Sequence, residues 1–176
     1  GTGTATINPT TGLLTGGNPG TVTVCATAND GSSVQGCTVI TVNPILVSTI
    51  TVQGQGGATT VLSGNSLQML ATVLPANTSN QTVTWSLTPG TGTGTINPST
   101  GMLTAGNPGT LTICATATDG SGVQGCTVIT VNPILVSTIT VQGQGGATTV
   151  LSGNTLQILA TVLPANATNP TINWSI

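Results

Sequence analysis

Gly109-Thr-Leu-Thr-Ile-Cys-Ala-Thr-Ala-Thr-Asp-Gly-Ser-Gly-Val-Gln-Gly-Cys-Thr-Val-Ile-Thr-Val131 reads as one β-hairpin with a cysteine on each arm. Successive strand residues point to opposite faces. Leu111, Ile113, Ala115 and Ala117 therefore share one face, and Thr110, Thr112, Cys114 and Thr116 the other. A register that sets Leu111 opposite Ile129 also sets Ile113 opposite Thr127 and Cys114 opposite Cys126. Ile129 and Val131 then join the apolar face, while Cys126, Val128 and Thr130 join the second. Directly opposed antiparallel residues lie about 4.5–5.5 Å apart at Cα, within the range of a disulfide. The stretch recurs 89 residues earlier as Gly20–Val42, with Cys25 and Cys37 in the matching places. The expectation is two cross-strand bridges, Cys25–Cys37 and Cys114–Cys126, on the outer face, each locking a hairpin.

Composition narrows what such hairpins can serve. The 176 residues contain no Lys, Arg, His, Tyr or Phe, and the only acids are Asp30 and Asp119. Nucleic-acid binding relies on cations to neutralise phosphate, and none is present. General acid–base catalysis needs a better supply of titratable groups than two Asp in equivalent turns, so no catalytic residue is expected. With the cysteines bridged, no metal site or cofactor is expected either. Mean hydropathy is positive, at +0.38. Even so, apolar runs such as Ile45-Leu46-Val47 fall far short of the roughly 20 residues of a spanning helix, and two Trp cannot form the aromatic girdles of a membrane barrel. Membrane insertion is therefore not expected. Paired cysteines point to an oxidising, extracellular setting, and a net charge of −2 leaves little repulsion between copies.

An internal repeat organises the chain. Residues 1–87 align with 90–176 without a gap and with 16 differences, mostly swaps such as Val22/Leu111, Val24/Ile113 and Met69/Ile158 that keep volume and polarity. Asn43-Pro44 and Asn132-Pro133 follow each hairpin and precede Ile-Leu-Val-Ser-Thr-Ile-Thr-Val. Proline cannot donate to a ladder, so these are read as linkers. The frame is then one complete repeat, 44–132, with 1–43 matching its C-terminal half and 133–176 its N-terminal half. Joined, the partial units lack only the counterparts of Thr88 and Pro89. Either a longer polypeptide continues through them or separate chains complete each other by strand exchange; a continuous chain is the reading preferred here.

Within 44–132 the alternation predicts a series of short strands: Leu46–Val52, Thr59–Leu62, Ser66–Leu74, Thr82–Leu87, Gly94–Ile96, Met102–Thr104 and the two arms of the opening hairpin. Leu67, Met69, Ala71 and Val73 are expected to point inward. Short strands at this spacing indicate an all-β sandwich. Trp85 alternates with Val83, which marks it, and its copy Trp174, as core anchors.

Four stretches carry a family likeness: Ala71-Thr-Val-Leu-Pro-Ala-Asn77, Thr82-Val-Thr-Trp-Ser86, Gly101-Met-Leu-Thr-Ala105 and Gly109–Gly120. Together they resemble the bacterial Ig-like domain, group 2, over the whole repeat. The resemblance implies Ig-like β-sandwich repeats in tandem, as in invasin/intimin-like adhesins and long bacterial surface proteins. Trp85 and Trp174 match the family's tryptophan on its third main strand. Cys114 and Cys126 depart from it, since members commonly carry Thr or Val there. Such modules usually act as spacers, so the resemblance brings no catalytic or ligand residue.

Turn chemistry accounts for Asp30 and Asp119 better than calcium does, because one carboxylate per site is far below a calcium ligand set. Thr-rich faces, including Thr21-Val-Thr23 and Thr91-Gly-Thr93, keep uncharged strands wettable. The expected function is a structural repeat of an extracellular bacterial fibre, stalk or giant adhesin at the cell surface. Its expected partner is itself, head-to-tail along the fibre, with lateral self-contact as a secondary expectation. The alternative is an adhesive module that recognises a glycan or a surface.

Overall fold

Alternation over Ser66–Leu74 produces one nine-residue strand, with Met69 fully buried and Leu67, Ala71 and Val73 partly so, while Leu70, Thr72 and Leu74 lie open. The same period-two logic runs through the computed structural model, which describes all of residues 1–176. The N-terminal partial repeat holds β1 (Ala5–Ile7), β2 (Leu14–Gly16), β3 (Gly20–Thr27) and β4 (Gln35–Val42). The complete repeat begins with β5 (Thr49–Gly54), β6 (Thr60–Leu62), β7 (Ser66–Leu74) and β8 (Val83–Pro89). It continues with β9 (Gly94–Ile96), β10 (Met102–Ala105), β11 (Gly109–Ala117) and β12 (Gln124–Asn132). The C-terminal partial repeat holds β13 (Thr138–Gly143) and β14 (Ile158–Leu163).

The complete repeat is built from two four-stranded sheets, ordered β5-β7-β10-β9 and β6-β12-β11-β8. It is a β-sandwich of the Ig-like kind. Strand β6 pairs in parallel with β12, Val61 opposite Val131, and β10 pairs antiparallel with β7, Leu103 opposite Leu67. The expected first strand, Leu46–Val52, starts instead at Thr49. Ile45 and Val47 find their hydrogen bonds in a loop and a turn rather than in a ladder, whereas Ser48 N–H already donates to the Leu74 carbonyl at the end of β7. Ile45 N–H donates to Ser79 Oγ, its carbonyl accepts from Ser79 N–H, and Val47 N–H donates to the Asp119 carboxylate.

By internal packing the chain falls into two units. One comprises Gly1–Thr51, Ala71–Thr84 and Ala115–Gly125; its buried apolar residues include Val47, Ile50, Ala115 and Ala117. The other comprises Val52–Leu70, Trp85–Cys114 and Cys126–Ile176; its core is Met69, Leu103, Leu111, Ile113, Ile129 and Val131, all essentially inaccessible to solvent. The hairpin's apolar face thus supplies Leu111, Ile113, Ile129 and Val131, four of those six core residues.

The partial repeats retain only the pairings that are local to them. Hairpin β1–β2 copies β9–β10, β3–β4 copies β11–β12, and β13–β14 copies β5–β7. Residues 149–151 and 172–176, the copies of β6 and most of β8, form no strand. In the complete repeat those strands pair with β12 and β11, whose counterparts fall in residues 1–43. A strand without its ladder leaves its amides to water, so these segments stay irregular.

Two sequence differences between the copies exchange a methyl group across one strand pair. Ala5 faces Gly16, whereas Gly94 faces Ala105. A methyl at Gly94 would lie 3.0 Å from the Leu111 side chain, and the N-terminal copy, which carries Ala5, has the smaller Val22 in place of Leu111. Each copy thus conserves its own core volume. A third difference concerns Thr78, whose Oγ1 is buried with no hydrogen-bond partner; the other copy carries Ala167 in the same turn. Since an unpaired buried hydroxyl costs about 1–3 kcal/mol, Thr78→Ala is expected to leave the repeat as stable or to stabilise it by up to about 1 kcal/mol. Urea unfolding of the variant measures this; a loss above that size would contradict it.

Candidate functional site

Trp85 is held by a turn that closes through its own hydrogen bonds. Asn97 Oδ1 accepts from the N–H groups of Ser99 and Thr100, and Gly101 N–H donates to the Asn97 carbonyl, closing Asn97–Gly101 on itself. Trp85 N–H donates to the Pro98 carbonyl at 2.9 Å, and Met69 N–H to the Gly101 carbonyl at 3.0 Å. Gly101 adopts φ +71°, and a Cβ there would come within 2.6 Å of the indole. Glycine is required twice over, for the left-handed backbone and for the contact. The turn Asn8–Gly12 makes the same internal bonds, with Asn8 Oδ1 accepting from Thr10 and Thr11, but nothing lies within 4 Å of a Cβ at Gly12. Trp174 is 56% exposed against 7% for Trp85. A core position for Trp174 is therefore not met within this chain, because the strands that would cover it are not among residues 133–176.

A second tie joins the tip of the long hairpin to the start of the repeat. Asp119 accepts from Ser121 N–H at 2.9 Å and from Val47 N–H across 72 positions of sequence. Ser121, and after it the Val47 amide, hold the Asp119 carboxyl below the ordinary 3.8; Ser32 does the same for Asp30. A carboxyl lowered by folding stabilises fully above its unfolded pKa and loses that contribution as pH falls through the folded value. With no Lys, Arg or His, thermal stability is expected to be flat from about pH 5 upward and to fall only below about pH 4. Melting curves across pH check this; a change between pH 6 and 8 would refute it. Asp119→Ala, which strands the Val47 amide, is expected to lower the melting temperature, and Asp30→Ala, whose carboxylate bonds only Ser32 of its own turn, to lower it less.

Both cysteine pairs are bonded, Cys25 to Cys37 and Cys114 to Cys126, each with Cα atoms 4.1 Å apart. In β3–β4 the register runs from Gly20 opposite Val42 to Thr27 opposite Gln35, with the cysteines directly opposed. Cys114 is half-buried and Cys126 exposed, so the second bridge lies on the outside of the sheet. Asn43 and Pro44 are exposed and outside any strand; Asn132 closes β12, its carbonyl accepting from Ser63 N–H, and Pro133 follows it, also exposed. Several threonines of the outer surface are engaged in structure. Thr93 Oγ1 accepts from Asn107 N–H, Thr91 Oγ1 from Thr110 N–H, and the Thr82 and Thr118 hydroxyls bond each other. No three His, Cys, Asp or Glu side chains lie together as a metal group would require, and no helix is long and apolar enough to cross a membrane.

The chemistry on display is that of packing. Two four-stranded sheets, a buried tryptophan clasped by a glycine turn and a stapled hairpin define an Ig-like structural repeat. Residues 46–128 match the bacterial Ig-like domain, group 2, a family of structural, non-enzymatic domains. An 87-residue stretch is 46% identical to part of the tail tube protein pb6 of Escherichia phage T5. That match takes in 48% of this chain and only 18% of the phage protein, so the chain spans a small part of that relative. Two structures of the surface-layer protein SbsC align over 90% of this chain and 27% of theirs, at 17% and 18% identity and a TM-score of 0.39.

Proposed function

We propose that the chain is a segment of an extracellular fibre or stalk made of tandem Ig-like repeats, bearing load and setting length, with its partial repeats completed by the adjoining segment. One observation carries the reading: the apolar faces buried in the complete repeat recur, open, on the two partial ones. Ile50 is 6% exposed and its copy Ile139 49%; Ile129 is 1% exposed and its copy Ile40 38%. The division into 1–43, 44–132 and 133–176 belongs to this proposal, as do the Asn43-Pro44 and Asn132-Pro133 linkers that would restrict bending between repeats, and self-association is the partner class. The bacterial cell surface is the location proposed. The likeness to part of a phage tail tube protein supports a second setting, the outside of a virion, with the same structural role.

Stretching single oxidised chains between their ends tests the load-bearing role. The complete repeat is expected to unfold at a distinct force peak. Reduction should lengthen the released contour by about 40 Å, since each residue freed by opening Cys114–Cys126 spans about 3.3–3.6 Å. Extension without a peak, or specific binding of the chain on a glycan array, would overturn the structural reading.

A further inference from the structure

We propose that strand β6 of the complete repeat is a lateral docking edge for a second copy of this chain, which pairs its own β6 there, antiparallel, about a two-fold axis at Val61. This rests on self-association as the partner class proposed above and gives it a surface inside the complete repeat. Strand β6 ends its sheet, with β12 on one side and no strand on the other. In the parallel register Thr60 lies opposite Thr130, and Leu62 opposite Asn132. Thr130 N–H donates to the Thr59 carbonyl and Ser63 N–H to the Asn132 carbonyl, so the backbone groups of residues 59, 61 and 63 face β12. Alternation turns the N–H and carbonyl of Thr60 and of Leu62 the other way, off the edge of the sheet. There the Leu62 carbonyl accepts from Asn65 N–H in the following turn, and the other groups have no strand to bond.

Charge, sequence and hydrogen-bond pattern together select a second copy as the occupant. Natural proteins guard exposed edges with charged side chains, proline or a bulge. Residues 59–62 carry neither charge nor proline, and the chain has no Lys, Arg or His with which one copy could repel another. Elsewhere the edges of the complete repeat are approached or variable. Trp85 N–H of β8 already donates to the Pro98 carbonyl, Gly125 presses on the Ile50 carbonyl of β5, and β9 changes between the copies at Gly94/Ala5. Strand β6 and its neighbour do not change. Residues 34–65 and 123–154 are identical, and all 16 differences between the copies fall outside them. Surface positions tolerate substitution better than core positions, yet here exposed Leu62 is kept while buried Met69, Leu111 and Ile113 are exchanged. The edge is also complementary to itself. With Val61 opposite Val61 of the second copy, Thr60 of each copy faces Leu62 of the other, and each such pair exchanges both of its N–H···O bonds. The Leu62 side chain then covers Thr60 of the other copy on the outer face. So short an edge holds its partner weakly, as transient contacts do, and gains strength where the repeat recurs along a fibre.

Thr60→Pro is the decisive substitution. The Thr60 N–H makes no bond to β12, and proline is tolerated on an edge strand whose N–H faces solvent, so the repeat keeps its fold while the pairing loses a donor. Hydrogen exchange in the oxidised 176-residue chain, followed amide by amide by nuclear magnetic resonance, reads the edge directly. Between micromolar and millimolar concentration, exchange at the Thr60 and Leu62 amides is expected to slow by about fivefold or more. The Val61 amide, which faces β12, should change little. In Thr60→Pro the Leu62 amide is expected to exchange at one rate at both concentrations, with the melting temperature unchanged. Leu62→Lys, which sets like charges near each other across the two-fold axis, should leave the Thr60 amide equally fast. Association with both amides unprotected, or protection that survives Thr60→Pro, overturns the edge pairing and leaves self-association standing. A wild-type chain that remains monomeric at millimolar concentration overturns both.

Discussion

Trp85→Ala is expected to lower the unfolding free energy of the complete repeat by about 3–5 kcal/mol, the range for removing a buried aromatic. The upper half of that range applies because the site cannot collapse. On one side the ring meets Gly101, whose turn is braced by the Asn97 side chain and by hydrogen bonds of its own. The Trp85 and Met69 amides bond to that same turn, so the backbone around the void is held in place. Domains of this size are stable by only about 5–15 kcal/mol, and the variant would stand near the edge of folding. Trp174→Ala in the same chain, at a concentration low enough to prevent association, is the internal control. Its ring is already mostly in water, and a change of under about 0.5 kcal/mol is expected. Urea unfolding followed by far-ultraviolet circular dichroism reads both. A cost for Trp85→Ala below that of a single exposed contact would show that the glycine turn closes over the gap.

The contrast between the two tryptophans also shows what alternation can and cannot tell. Leu111, Ile113, Ala115 and Ala117 could be assigned to the core from the sequence, because period-two patterning names the buried face of a strand directly. Ser66–Leu74 was legible for the same reason. Patterning does not name the strand's neighbour, so the sheet orders, and the dependence of β6 and β8 on β12 and β11, were not readable. Trp85 and Trp174 share the pattern Thr-x-x-Trp-Ser; only the presence or absence of Gly101's counterpart in the same repeat separates a buried ring from an exposed one. Strand β5 starts later than the expected Leu46 because Ile45–Ser48 has strand-like composition, whereas the Ile45 and Val47 amides are taken by Ser79 and Asp119. Asp119 looked like turn chemistry alone. Its bond to Ser121 is local and matches that reading, but its bond to Val47 spans 72 positions and leaves no mark in either segment. The glycines carried a signal that sequence reading passed over: Gly12 and Gly36 recur unchanged as Gly101 and Gly125, where the folded repeat leaves no room for a side chain.

Replacing Cys114 and Cys126 together by Ser is expected to destabilise the complete repeat by about 3 kcal/mol, the chain-entropy value for a loop of this size. The sulfurs lie on the outer face, so no core cavity adds to the cost, and Ser, Ala and chemical reduction should give the same loss within about 0.5 kcal/mol. A much larger loss for one of the three would mean that the bridge also packs. The Cys25–Cys37 bridge should respond differently. Strand β11 is flanked by β8, and β12 by β6, so the complete repeat keeps its hairpin when the bond is cut. Hairpin β3–β4 is a two-stranded sheet, and an isolated hairpin is marginal in water. There the Cys25–Cys37 bond carries most of the cooperativity. Hydrogen exchange under reducing conditions is therefore expected to release the amides of Val22–Ala26 and Thr38–Ile40 first, while those of Thr112–Thr116 stay protected. Simultaneous release of both hairpins would show that β3–β4 is protected by something other than its bridge. The departure from the family at these positions then has a physical account: the bond is a modest supplement in a four-stranded sheet and the main restraint on a two-stranded hairpin.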